Sequence, residues 1–429
     1  MDKLRLAVCR TDITPEIGGR LYGYRDDFYS TGINDRLFAT AFCFTYNGEK
    51  SLLVSTDVCL INTKLAHRMR AEISADCLVA VKNIILTAVH THTGPNTAGE
   101  EGWGAIDTEY CESVFIPEIR RICKEASSQE GTPVKVGFAV SKSKVGINRR
   151  ELFANGDIGL GQNEWGTYDP DMTVISFADY ENKPVANIIH YGAHNTAAGL
   201  CPLISRDWCG VMCDRLEALS GCPSVYFNGC EGDVGPRLTN GQTVGDINYA
   251  MEHGAVAAND AVNTYKMIKE YHTADMKAVQ ADIDIPLDKR VPLEKAREEY
   301  EKYKSAVYNI DRQTAVYYER VIKAWEDGVP EEKIKTLSIS VLRIANLNFI
   351  AFPYEMFSEI SLRLKKSCKN SRILCLSNAN GNDSYFPSQD QMCRGGYEVN
   401  MFKTAGSQPM VNDADNYLVT ALAKALEEM

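Results

Sequence analysis

Short β-branched apolar runs alternate with amphipathic stretches along most of this 429-residue chain. Runs at 52–56, 83–89, 134–140, 172–177, 185–189 and 224–227 have the composition of strands, while apolar positions recur at helical spacing over 63–74, 107–126, 208–220 and 249–270. This alternation predicts an α/β fold, with a mixed, at least partly parallel β-sheet core flanked by helices. The amino terminus enters an alternating strand pattern at once. Strand signals return at 337–344 and 348–352, followed by a helix after Pro353, a strand over 373–376 and a final helix over 413–426.

Two stretches depart from that rhythm. Residues 292–332 turn charged and tyrosine-rich, with a break near Asn309-Ile310-Asp311, and predict a charged helical hairpin inserted between sheet segments. Its tyrosines, among them Tyr300, Tyr317 and Tyr318, could pack on the body, line the way to a substrate or meet a second copy of the chain; packing is the usual use of such rings. Residues 378–407 carry little periodic pattern, and loops of that length in compact domains are usually functional or mobile.

Composition narrows the class. With 45% hydrophobic and 24% charged residues the chain reads as an ordinary globular protein, and no run approaches the ~18 apolar residues of a membrane span, so no stable membrane insertion is expected. A formal charge of −11 repels polyphosphates, which argues against nucleic acid and favours a small-molecule partner. Fourteen cysteines are dispersed through apolar segments without CxxC spacing, so free buried thiols are expected in a cytoplasmic chain with no signal-peptide pattern. Association with a second copy of the chain stays open. HExxH, GxSxG, Walker and Rossmann motifs are absent from the sequence.

Four of the seven histidines fall in two patches, Thr87-Ala-Val-His90-Thr-His92-Thr-Gly-Pro95 and Ile188-Ile-His190-Tyr-Gly-Ala-His194-Asn-Thr196. In extended chain His90 and His92 share a face, as do His190 and His194, which allows two metal ligands or a ligand beside a proton carrier. Taken singly, each is as well explained as a hydrogen-bonded core histidine; the clustering favours a metal. A hydrolytic ion needs further oxygen ligands. Glu355, which follows an apolar strand and is read as opening a helix, is one candidate, although acidic residues favour helix amino termini in any case. Asp207 has the same plain explanation, in the first turn of a helix that Ser205 would cap.

Together these segments resemble the neutral/alkaline ceramidase family. The resemblance begins at Thr11-Asp-Ile-Thr-Pro15, Tyr22-Gly-Tyr24 and Gly32-Ile33 and continues through His90-Thr-His-Thr-Gly-Pro95 and Asn148-Arg149. It then takes in His194-Asn-Thr196, Ser205-Arg-Asp207 with Gly210, Gly232-Asp-Val234, Phe352-Pro-Tyr-Glu355 and Tyr397-Glu398. It implies a single ceramidase-like catalytic domain over 1–429 and a zinc-dependent hydrolase that cleaves the amide of an N-acyl compound by attack of metal-bound hydroxide. It further implies His90, His194, Glu355 and Tyr385 as ligands of one Zn2+, His92 as general base, Arg149 as a holder of the substrate carbonyl and Tyr397 as donor to the oxyanion. His190 is left to the core or to a supporting shell.

The chain departs from the family pattern where Gly235 replaces a serine, Tyr354 a glycine, and Asn96-Thr97 a glycine pair. Set against the length of full-size ceramidases, the resemblance leads us to expect a catalytic region without their immunoglobulin-like carboxyl-terminal domain. These departures point to a smaller or more polar N-acyl substrate than long-chain ceramide. A zinc-dependent esterase or lactonase keeps the same ion with another bond, and a catalytically inactive metal-containing binding protein is suggested by Gly235.

Overall fold

Each apolar run read as a strand becomes one in the structure, a computed structural model that describes residues 3–404 and 408–429. The first two residues of the expected amino-terminal pattern and the end of the expected 378–407 loop lie outside the described residues. The strands form three principal sheets. One has the order Ile84–Ala88, Glu49–Thr56, Phe38–Tyr46, Arg5–Asp12, Thr132–Pro133; the second runs Ser224–Asn228, Pro184–Tyr191, Asp171–Ala178, Lys135–Lys142. The third runs Met276–Pro286, Ile334–Ile344, Leu347–Ala351, Arg372–Leu376. Neighbours are antiparallel except for one parallel pair in each sheet: Glu49–Thr56 with Ile84–Ala88, Pro184–Tyr191 with Ser224–Asn228, and Leu347–Ala351 with Arg372–Leu376. Besides short strands of two or three residues, four longer ones escaped the expectation. Ile158–Asn163 is thinned by two glycines, Met276–Pro286 alternates with charged residues at an exposed edge, and Phe38–Tyr46 and Gly146–Leu152 carry no clear period.

The three sheets meet face to face in one apolar cluster. Phe42, Phe44 and Ile85 of the first sheet pack there with Phe177, Ile188 and Phe227 of the second and Phe349 and Leu374 of the third. Helices cover the opposite faces. Thr63–Cys77 and Ile116–Ser128 bury Leu65, Met69, Ile119 and Ile122 against the first sheet, Asp207–Ser220 and Ile247–Lys266 cover the second, and Ser358–Ser367 and Ala414–Glu427 cover the third. Removing a side chain such as Leu65, Met69 or Ile122 from these layers costs about 2–5 kcal/mol. All fourteen cysteines are free thiols and all but Cys393 are buried. Among the described residues no helix is long and apolar enough to cross a membrane.

Three expectations are corrected by the structure. The helix expected over 107–126 is interrupted by a wider turn at Cys111–Phe115 before Ile116–Ser128. The helix after Pro353 starts only at Ser358, and Glu355–Met356 is instead a two-residue strand paired with Tyr385–Phe386, because the chain there joins a neighbour before it can coil. The 378–407 loop is therefore not structureless: it carries that strand and the short helices Gln389–Met392 and Tyr397–Asn400. The helical pair does form, as Leu293–Tyr303 and Asn309–Glu326, and it connects the adjacent antiparallel strands Met276–Pro286 and Ile334–Ile344. Tyr317 packs on the body, with its ring 5.4 Å from that of Phe402.

Candidate metal centre

Parallel strands discharge their carboxyl ends on the same side of a sheet, and ligands collect there. In this protein those ends build the site. Ile84–Ala88 leads to His90, Pro184–Tyr191 to His194, Ser224–Asn228 to Glu231 and Asp233, Leu347–Ala351 to Glu355, and Arg372–Leu376 to Asn378.

The extended geometry expected for the two histidine patches does not hold. Each strand stops early, at Ala88 and at Tyr191, and His90 takes a left-handed φ of 73°, uncommon for a residue with a Cβ. The turn nevertheless brings the rings of His90 and His92 to 4.8 Å and those of His90 and His194 to 4.6 Å. His190 points elsewhere: its Nε2 lies 2.8 Å from the Cys375 carbonyl, in the core. The loop after His194 is clamped from the next helix. Asp207 accepts from the N–H groups of Ala197 and Ala198 at 3.2 and 2.8 Å, and Trp208 Nε1 donates to the His194 carbonyl at 3.0 Å. Asp207 opens the helix as expected, but the cap position falls on Arg206, whose side chain makes no capping bond, and Ser205 Oγ accepts from the Asp207 N–H at 3.0 Å.

Three imidazoles present Nε2 to one point. His90 Nδ1 lies 3.1 Å from the Cys59 carbonyl, His92 Nδ1 3.1 Å from the Gly23 carbonyl, and His194 Nδ1 2.8 Å from the Glu231 carbonyl and 3.1 Å from that of Val234. A carbonyl can only accept, so each Nδ1 carries its proton and each Nε2 keeps a lone pair. The His90 and His194 lone pairs face Glu355 Oε2, which lies 3.3 Å from His90 Nε2 and 3.1 Å from His194 Nε2 and has no hydrogen-bond donor among the described residues. His92 Nε2 is 3.2 Å from His90 Nε2, and the Tyr385 hydroxyl lies 3.5 Å from His194 Nε2. Converging lone pairs in a buried site repel one another unless a cation or a proton stands between them. His90, His194 and Glu355 offer atoms close enough to ligate one ion, so the residues present fit a metal.

Burial pulls the pKa of His194 down to about 3, helped by Arg149 and His90, and pulls that of His92 well below the ordinary histidine value, with His90 and His194 adding to it. At His90 burial acts in the same sense, but Cys59 and Glu355 outweigh it and the net direction is upward. Glu355 resists burial because His90 and His194 hold its carboxyl well below the usual range. A proton on His90 would thus do in part what a divalent ion does.

Around this core the structure positions the remaining expected residues. Tyr385 and Tyr397 stack edge to face at 5.9 Å, and both line the cavity in front of His92 and Glu355. Burial and Glu355 raise the pKa of Tyr397, so its hydroxyl remains a donor. Arg149 stands behind them: it donates to the Tyr385 hydroxyl and to Glu398, both at 2.9 Å, and Arg150 donates to the other oxygen of Glu398 at 2.5 Å.

Several contributors were missed by sequence reasoning. Glu398 was visible only as the neighbour of Tyr397. Cys59 Sγ approaches His90 Nδ1 at 3.6 Å, on the side of the ring away from Glu355. Glu231 is fully buried, accepts from Asn378 Nδ2 at 2.6 Å, and has its carboxyl pushed up to about 8 by burial. Its only sequence signal is an acid beside the Gly232-Asp233 pair at the end of a strand. Gly23 belongs to the Tyr22-Gly-Tyr24 segment, and its structural reason is now plain: a Cβ there would sit 2.4 Å from His92 Nδ1. Gly235 has a packing reason too, since the Thr243 side chain fills the space in which its Cβ would stand.

The solved structure of neutral ceramidase from Pseudomonas aeruginosa is similar, with a TM-score of 0.74 and 18% identity, over 100% of this chain and 75% of that chain. A ceramidase complexed with C2 is similar at a TM-score of 0.71 and 18% identity, over 100% of this chain and 76% of that one. At such identity the likeness establishes the mixed α/β fold. No curated protein matches. Residues 5–219, half of the chain, match the family described as neutral/alkaline non-lysosomal ceramidase, N-terminal, and the protein belongs to that family.

Proposed function

We propose that this protein hydrolyses the amide bond of N-acyl compounds with a single zinc ion held by His90, His194, Glu355 and Tyr385. Family membership supplies the reaction class, hydrolysis of a linear amide. The observation that carries the assignment to this site is the convergence of imidazole lone pairs on Glu355 Oε2, a buried carboxylate oxygen without a donor. Two imidazoles, a carboxylate and a phenol make the mixed nitrogen and oxygen set that zinc accepts. Zinc bound there supplies Lewis acidity, which polarises a carbonyl and makes a water nucleophilic near neutral pH.

The protein's own residues do the rest. His92, neutral and with its Nε2 lone pair directed into the cavity by the Gly23 carbonyl, takes the proton of the attacking water and returns it to the departing amine. Tyr397 donates its hydroxyl to the oxygen on which charge develops. Arg149 works through Tyr385, holding the phenol oxygen in place with a charge-assisted hydrogen bond, while Glu398 keeps the guanidinium from turning into the cavity.

Metal analysis and amine release from N-acyl amides test this. The expected result is one zinc per chain and turnover that falls by about 10²–10⁴ in His92→Ala without loss of zinc. A His92→Ala protein that turns over normally, or wild-type protein active after exhaustive chelation, would overturn the proposal.

A further inference from the structure

Beyond the catalytic cavity lies a second, larger chamber of about 440 Å³, and the two share Glu100, Asn382, Ser384 and Thr404 in their walls. The outer space thus adjoins the catalytic cavity. Every residue lining it is polar, charged or glycine. A hydrocarbon tail is stabilised by burial against apolar side chains, and this wall contains no apolar residue.

We propose that the outer chamber is a subsite for a carboxylate, so that the preferred N-acyl substrate carries an anionic, hydrogen-bonding end beyond the scissile amide in place of a bare alkyl chain. This rests on the hydrolase function above and names its substrate class. Three observations support it. First, Gln313 is 2% exposed and lines the chamber, yet among the described residues neither its amide nitrogen nor its amide oxygen has a partner, and the buried Ser384 hydroxyl is also unpaired. Unmet buried polar groups are unfavourable, and a hydrogen-bonding ligand removes that cost. Second, three of the six charged groups on the wall are held in ion pairs, and of the other three two are cations, Lys64 and Arg320, and one is an acid, Glu100. Lys335 is paired with Asp383 at 2.8 Å, and Glu101 is paired with Arg312 at 2.8 Å. Glu100 accepts from the Tyr22 hydroxyl at 2.6 Å, and burial pushes its carboxyl up to about 7. Lys64 and Arg320 have no carboxylate within ion-pair distance among the described residues, which leaves the chamber with a cationic excess.

The third observation concerns the helical pair. Gln313 and Arg320 are two turns apart on Asn309–Glu326 and so share a face, the one turned to the chamber. That helix is fixed to the catalytic wall. The Asn309 N–H donates to the Gly102 carbonyl at 2.8 Å, and Ile310 packs in the cluster that contains Tyr385 and Tyr397. The charged hairpin thus places a hydrogen-bonding amide and a guanidinium beside the catalytic residues, which packing alone does not require.

Three amides of matched size test the subsite on zinc-supplemented protein: N-butylbutanamide, N-butanoyl-γ-aminobutyrate with the carboxylate on the amine side, and N-butylglutaramate with it on the acyl side. We expect one of the charged amides to exceed the uncharged one by at least about tenfold in kcat/KM, and Arg320→Ala and Gln313→Leu each to shrink that ratio towards one. Arg320 is exposed, so its variant is a safe control should Gln313→Leu fold poorly. Cleavage of N-butylbutanamide as fast as both charged amides would overturn the subsite and leave the hydrolase function standing. If nothing is cleaved, calorimetry with the charged amides decides: Arg320-dependent binding upholds the subsite and rejects the hydrolase, and absence of binding rejects both.

Discussion

Glu355 and Tyr385 are register partners in a two-residue parallel ladder, Glu355–Met356 against Tyr385–Phe386. The carboxylate and the phenol proposed as oxygen ligands are thereby set side by side by backbone hydrogen bonds, with the Glu355 N–H donating to the Ser384 carbonyl at 2.9 Å. Fixing both residues on a short sheet, while His90 and His194 come from turns after two other sheets, makes the four donors a product of three sheets packed together. Donors held by backbone ladders and packed sheets need less ordering when an ion binds.

Glu355→Gln removes the only charge of the proposed ligand set and should weaken zinc binding by more than the 10–100-fold typical of losing an outer partner. Competition with a chromogenic chelator measures it; undiminished affinity would remove Glu355 from the site. Chelation of wild-type protein should lower the melting temperature as well, since zinc at about 100 times its Kd stabilises a fold by about 2.7 kcal/mol.

Gly23→Ala should act as a remote copy of His92→Ala. The new methyl would overlap the His92 ring, at 2.4 Å from Nδ1, and the φ of +126° disfavours any side chain there. Turnover should fall by at least about tenfold as the base is displaced, with zinc content unchanged. Full activity in this variant would show that the orientation of His92 is immaterial.

Glu398→Gln leaves Arg149 and Arg150, which are 5% and 2% exposed, without their shared carboxylate. Loss of one partner from a buried ion pair typically costs about 3–5 kcal/mol, and urea denaturation should show a loss of that size. A change within about 0.5 kcal/mol, the range of ordinary surface substitutions, would mean that water reaches the pair.

Asp233 provides a pH signature. Burial raises its pKa from 3.8 to about 7 despite hydrogen bonds from the Ser358 N–H and hydroxyl. Between about pH 4 and 7 the unfolded chain has released this proton while the folded one retains it, so folding stability declines as pH rises through that window and levels off above it. The contribution is of the order of a few kcal/mol, and Asp233→Asn should remove it. Equilibrium unfolding at a series of pH values gives the comparison; an identical slope in both proteins would place the titration elsewhere.

Much of the fold was legible because its core strands are short apolar runs bounded by turns, and because helix and strand periods differ. The outer edge strand Met276–Pro286 was not, since half of its residues face solvent and mimic a polar connection. The candidate site was legible as residue types in an ordered set of segments, His90-Thr-His92, His194, Glu355, Tyr385 and Tyr397, but for a different local reason than extended spacing, because a left-handed turn at His90 does the work that alternation was expected to do. Glu231, Cys59 and the chamber under the helical pair had no signal of that kind. Their meaning comes from neighbours far away in the sequence, such as Asn378 beside Glu231 and Ser384 in the same chamber wall as Gln313.

By itself the sequence determined the α/β alternation, the family and the identities of the residues brought to the site, because local periodicity and residue chemistry are properties of short segments. Only the tertiary structure decided which nitrogen of each histidine faces the centre, that Arg149 is bound to Tyr385 and Glu398, and that Gln313 remains unpaired in a polar chamber. Those outcomes depend on carbonyls, carboxylates and cavities assembled from different sheets, and no single stretch of chain contains them.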